Sequence, residues 1–122
     1  MTDELAFRRG DVLLVPFPFI TDFAQSKLRP VLVIQNDVGN RFSPNLIVAA
    51  ISSKIPDRKY PTSNIIRRGT PEAQRAGLEH DSVMLGSVIL TIPKASIVRR
   101  LGHLSPAAMQ AVDDCLRVSL AL

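Results

Sequence analysis

The residues of this chain best suited to chemistry fall at two places, Arg29 before Pro30 and an apolar run, and Ser52-Ser53-Lys54 at the end of another apolar run. A guanidinium stays protonated at any working pH, and its planar donors match two phosphate oxygens at once. The proline after Arg29 fixes the backbone and favours an extended residue before it, so Arg29 belongs at the rim of a strand. Gln25, Ser26 and Lys27 lie in the loop just ahead of it. If the two strands are neighbours, their ends converge. A guanidinium, two hydroxyls and an ammonium then surround a small volume suited to a phosphodiester, without metal ligands beside it. In RNA such a site supports attack of the adjacent 2′-hydroxyl on phosphorus, because it stabilises the charge that develops on the phosphoryl oxygens. DNA lacks that nucleophile. Taken alone, Arg29 is equally readable as a solvated charge at a strand edge.

Other reactive side chains are scattered. His80 and His103 are isolated in sequence, and each lies beside a predicted strand end. An imidazole can act as acid or base, but a lone histidine more commonly serves no catalytic role. Cys115 falls within a helical pattern and reads as a packing residue. Walker loops, dinucleotide fingerprints, zinc-protease helices and nucleophile elbows are all absent from the sequence, so neither a cofactor nor a metal is expected.

The elements that must position these residues are short strands. Apolar segments separated by Gly, Pro, Asn and Asp predict strands at 11–17, 30–35, 46–53, 62–66, 82–85, 88–92 and 97–101. About seven short strands without a long helix among them indicate a small sandwich or barrel. The segments 19–28 and 67–81 are long connections for a compact domain, a property that goes with function or mobility. At the end the period changes. Ser105 is an N-cap with Pro106 at the first helical position, and Met109, Val112, Leu116 and Leu120 form one stripe with Ala108 and Cys115 beside it. Gln110, Asp113, Asp114 and Arg117 take the other side, where Asp113 can pair with Arg117 one turn on. This helix is expected to close the end of a barrel or to join an oligomer interface.

At 122 residues the chain is the size of one domain with a single core. One cysteine cannot form an internal disulfide, the aliphatic run 46–51 is too short to span a bilayer, and the residues after Met1 do not resemble a signal peptide. A cytoplasmic protein without membrane contact is the expectation. The net charge of +4 comes from 15 Lys and Arg against 11 Asp and Glu, with the excess concentrated near predicted strand ends. Nucleic acid and acidic protein are both compatible partners.

Read in order, the residues resemble the MazF/PemK family of toxins from bacterial type II toxin–antitoxin pairs. The resemblance rests on Arg9-Gly10-Asp11-Val12, on Arg29 through Asp37, on Asn40-Arg41-Phe42-Ser43-Pro44 and on Ile47 through Ser52. It continues in Gly77-Leu78, Asp81-Ser82-Val83, Thr91-Ile92, Lys94, Leu104-Ser105, Val112-Asp113 and Leu120. It implies one toxin domain over residues 1–122, a mainly β SH3-like barrel closed by a C-terminal α-helix, and a homodimer. It also implies a metal-independent, sequence-specific endoribonuclease that cuts single-stranded mRNA, leaves a cyclic phosphate and a 5′-hydroxyl, and is silenced by a cognate antitoxin. Operator DNA would be reached only through that antitoxin. The family's essential arginine falls on Arg29 and its hydroxyl residue on Ser52. Gln25, Ser26, Lys27, Ser53 and Lys54 are then expected to contact the substrate.

Two positions depart from the family pattern. Ala24 stands where many members carry an acidic residue in the first loop, and Val88-Ile89-Leu90 replaces a Gln-aliphatic-Arg segment. Polar contacts to RNA bases are therefore expected to differ. The resemblance describes Arg29 as a proton carrier, but a guanidinium hardly ever loses its proton, which makes phosphate binding its main expected role. Two other functions suit the same fold: a non-nucleolytic toxin of the gyrase-inhibitor kind, or a weakly active relative that binds antitoxin or DNA. The gyrase-directed toxins rely on aromatic residues at the end of the last helix, whereas this chain ends Leu120-Ala121-Leu122.

Overall fold

The computed structural model describes residues 6–17 and 27–122. Six strands form one curled antiparallel sheet in the order β4-β5-β3-β2-β1-β6. They are β1 Asp11–Phe17, β2 Lys27–Val33, β3 Asn45–Ser52, β4 Ser63–Ile66, β5 Ser82–Pro93 and β6 Arg99–His103. The helices are α1 Asp37–Phe42, α2 Pro71–Ala76 and α3 Pro106–Leu120. The expected class, mainly β with a C-terminal helix, is the observed one.

Among the described residues there is one strand fewer than expected, because 82–85 and 88–92 are parts of β5. Gly86-Ser87 reads as a turn in sequence but forms a bulge. Ala50 pairs with Leu85 and Ala49 with Ile89, so residues 86–88 are extra on the β5 side. The Gly86 N–H donates to the Thr62 carbonyl at 2.8 Å, and a Cβ at Gly86 would lie only 2.6 Å from that oxygen.

Strand alternation sorts the core into two clusters on opposite faces of the sheet. Val12, Leu32, Ala49, Ile51 and Met84 pack with Val112, Cys115 and Leu116 of α3. Leu13, Val15, Val31, Val33, Val48 and Ile92 form the second cluster. Ser105 caps α3 by accepting from the Ala108 N–H at 3.1 Å. Leu120, expected in the apolar stripe, is half exposed near the end of the helix.

A polar knot ties β1 to α1 and α3. The Arg9 N–H donates to Asp37 Oδ1 at 2.8 Å, its Nε donates to the Ile34 carbonyl at 2.8 Å, and its guanidinium bridges Asp113 at 2.8 Å. The expected Asp113–Arg117 pair is therefore not formed. Asp113 is taken by Arg9 from a distant strand end, and Arg117 bridges Asp114 at 2.8 Å. The Arg9 N–H and the Asn40 side chain hold the Asp37 carboxyl below its ordinary range. Asn40 is buried, with Nδ2 donating to the Gln35 carbonyl and to Asp37 while its Oδ1 accepts from Gln35 Nε2. Among the described residues no helix is long and apolar enough to cross a membrane.

Candidate active site

Strand register brings Arg29 and Ser52 together. β2 and β3 pair from Val33 opposite Val48 to Val31 opposite Ala50, so Arg29 and Ser52 each lie two residues beyond the last paired position, on the faces of their strands that carry Val31 and Ala50, and both line one groove. Opposed residues of an antiparallel pair project from the same face with Cβ atoms about 5 Å apart. The row extends in both directions, since Val15 lies opposite Arg29, Ser52 opposite Val83, and Val83 opposite Ile65. Arg29 and Ser52 thus occupy adjacent places near the ends of their strands.

An open groove of about 420 Å³ lies at this end of the sheet. It is lined by Arg29, Ser52, Ser53, Glu79, His80, Ser82 and Arg99 together with the apolar Leu14, Pro30, Ile51, Leu78 and Leu101. Arg29 is half-buried, and neither it nor Arg99 has a hydrogen-bond or carboxylate partner among the described residues. Unpaired guanidinium groups in a concave site favour an anionic ligand.

Ser52 Oγ accepts the Lys54 N–H at 3.1 Å, which shapes the turn after β3 and leaves the hydroxyl proton free to donate. Lys54 therefore contributes its backbone to this turn, and its side chain is exposed beside the groove. Lys27 is likewise exposed, opposite Phe17 and on the strand face that carries Arg29. Neither lysine is part of the groove wall. Gln25 and Ser26, together with Ala24, lie outside the described residues.

His80 and Arg99 complete the groove, and two glycines explain how they reach it. Thr70 and Pro71 start α2, and Gly77 ends it in a left-handed conformation with φ of 72°. A Cβ at Gly77 would collide with the Leu101 carbonyl, and one at Gly102 would collide with the Arg75 carbonyl. With glycine at both positions, the end of α2 packs directly on β6. Leu78 then fills the groove floor, and His80 stands at the wall with its carbonyl held by Ser82 Oγ at 2.9 Å. The long 67–81 segment was the sequence signal for His80. Arg99 gave only a charge near a strand end.

Glu72 fastens the same corner to α3. Its carboxylate accepts the Ser105 N–H at 2.8 Å and the Ser105 hydroxyl at 2.7 Å, and lies 3.4 Å from Arg75. Burial pushes the Glu72 carboxyl up, but the two Ser105 bonds with Arg75 and His103 outweigh it, and the group sits below its ordinary value.

Residues 8–120 match the model of the PemK-like, MazF-like toxins of type II toxin–antitoxin systems. The chain is 45% identical over 115 residues to endoribonuclease EndoA of Bacillus subtilis, covering 94% of this chain and 95% of that protein. It is also similar to a solved endoribonuclease in complex with its cognate antitoxin from Mycobacterial species, with a TM-score of 0.76, 21% identity and coverage of 96% and 97%. A second similar structure, MazE–MazF from Deinococcus radiodurans, has a TM-score of 0.72 at 15% identity, with coverage of 96% and 97%. At these identities the two structures establish the fold.

Proposed function

This chain belongs to the PemK-like, MazF-like toxins of type II toxin–antitoxin systems, and we propose that it cuts single-stranded RNA at the Arg29–Ser52 row. It is an endoribonuclease toxin. The observation that supports the site assignment is the groove lined by both Arg29, whose guanidinium has no hydrogen-bond or carboxylate partner among the described residues, and Ser52, whose hydroxyl proton is free.

In the proposed reaction the 2′-oxygen attacks the adjacent phosphorus as its proton leaves to an acceptor. The P–O5′ bond breaks, the 5′-oxygen takes up a proton, and a 2′,3′-cyclic phosphate remains. Arg29 binds the phosphoryl oxygens and neutralises the charge they gain, while Ser52 donates a hydrogen bond to one of them. Acceptance of the proton falls to another group, because a guanidinium holds its own. His80 is the imidazole on the groove wall, and its ring can both take and give a proton.

The working unit in this reading is one toxin domain over residues 1–122, paired as a homodimer in the cytoplasm, where mRNA is available. A cognate antitoxin with an acidic segment would compete with RNA for the same cations, and operator DNA would be bound only through it. Incubating the purified protein with a long mixed-sequence RNA in EDTA tests the proposal. Discrete fragments ending in cyclic phosphate are expected, with DNA and 2′-O-methyl RNA left intact. Intact RNA under these conditions would overturn it.

A further inference from the structure

A second concave site lies three strands along the sheet from β2. Following Arg29, Ser52 and Val83 across β2, β3 and β5 leads to Ile65 on β4, about 10 Å beyond Ser52 at two inter-strand spacings. Ile65 and Ser63, two residues apart, share the face of the sheet that carries Arg29 and Ser52. Both line an open cavity of about 420 Å³ with Arg58, Lys59, Tyr60, Asn64 and Arg67.

The side chains lining this cavity combine cations, an aromatic ring and polar groups. Tyr60 is 49% exposed, so a ring face is available for stacking. Its carbonyl accepts the Ser63 N–H at 3.0 Å, and the neighbouring Thr62 carbonyl is held by Gly86 at 2.8 Å, so the backbone that carries the ring is tied to β4 and β5. Arg58 and Lys59 have no carboxylate partner among the described residues, and Arg67 shares only an exposed pair with Asp81 at 3.3 Å. Ser63 and Asn64 supply a hydroxyl and an amide that can meet a base edge. Cations for the backbone beside an aromatic platform for the base are the two parts of a single-strand binding surface.

We propose that this cavity is a subsite for a nucleotide flanking the scissile phosphate, with its base stacked on Tyr60 and its phosphate held by Arg58 and Lys59. The inference rests on the RNA-cleaving reading above and gives that reading a second contact along the strand. The 10 Å step from Ser52 suits nearby nucleotides of one chain. An acidic peptide would use the cations but would leave the ring face and the amide without a matching partner.

Tyr60 is the chain's one tyrosine, and the chain has no tryptophan, so intrinsic emission reports this residue alone. Titrating the protein with mixed-sequence 2′-O-methyl RNA, which cannot be cleaved by 2′-attack, should quench that emission saturably. Tyr60→Ala should raise KM for RNA cleavage on the order of ten- to a hundredfold with kcat nearly unchanged, the range of base–aromatic stacking. Tyr60→Phe should stay near the parent, and both variants should keep the parent's thermal midpoint. Unchanged emission at saturating RNA, or a parent KM in Tyr60→Ala, would overturn the subsite while leaving cleavage at Arg29 intact. Quenching by poly-glutamate and not by RNA would also overturn it, and a parent protein that cleaves no RNA would instead remove the catalytic reading.

Discussion

Removing the guanidinium tests the catalytic row most directly. Arg29→Ala deletes a fixed cationic donor at the developing phosphoryl charge, a loss of about 3–4 kcal/mol of transition-state stabilisation and hence a hundredfold or more in kcat/KM. Ser52→Ala removes one hydrogen bond to a charged group, about 1.5–3 kcal/mol, or roughly ten- to a hundredfold. Because both side chains line the same groove, they should act on one phosphate, and their effects should not add. The double variant should fall short of the summed loss by about 1 kcal/mol or more. Folding should be nearly untouched, since Arg29 has no partner among the described residues, so the unfolding free energy of Arg29→Ala should stay within about 0.5 kcal/mol of the parent. Arg29→Lys keeps the charge without the planar fork and should recover only part of the rate. The assay is initial cleavage of a fluorogenic RNA in EDTA at subsaturating substrate, with urea unfolding alongside. A parent rate in Arg29→Ala refutes the clamp, and strict additivity in the double variant refutes a shared phosphate.

Three further outcomes follow from the groove and its supports. His80→Gln should lower kcat about a hundredfold, as removal of a proton carrier does, whereas an unchanged rate would remove His80 from the reaction. Glu72→Gln should cost about 1 kcal/mol at neutral pH through its bonds to Ser105. Since folding lowers this carboxyl below 4.5, its stabilisation is present above the unfolded value and is lost as pH falls through the folded one. Parent and variant urea midpoints should therefore converge in acid, and a constant gap would contradict the assignment. Gly77→Ala meets both a φ of 72° and the Leu101 carbonyl, so it should destabilise by roughly 2 kcal/mol or more and depress cleavage by shifting His80; a parent melting curve would refute the close packing of α2 on β6.

The proposed row was legible in sequence as a candidate because it depends on local signals. Arg29-Pro30 marks one strand, although that strand already begins at Lys27, and Ser52 closes another, while the adjacency of those strands had to be supplied by the fold. The groove wall was less legible. His80 and Arg99 meet across a contact between α2 and β6 that depends on two glycines 25 positions apart, and neither glycine signals the other in sequence. The short helices α1 and α2 were missed for a related reason. Each spans six residues, too few to show a hydrophobic period, and each is set by caps such as Asn36 and Thr70 together with distant contacts.

The same distinction separates the motifs that carry the family resemblance from the residues that do chemistry. Arg9, Gln35, Asp37 and Asn40 match the family pattern as closely as Arg29 does, yet their polar atoms are engaged with one another or with Asp113. A side chain already committed to the fold has little left for a ligand. Arg29 is a matching cation with no such commitment among the described residues and lines the groove, and Ser52 keeps its donor because a backbone amide satisfies only its acceptor side. Arg9→Ala should therefore lower stability and cleavage together, in contrast to Arg29→Ala, which should lower cleavage alone. Spare hydrogen-bonding capacity together with a place in the groove thus marks the proposed pair more sharply than the match to the family does.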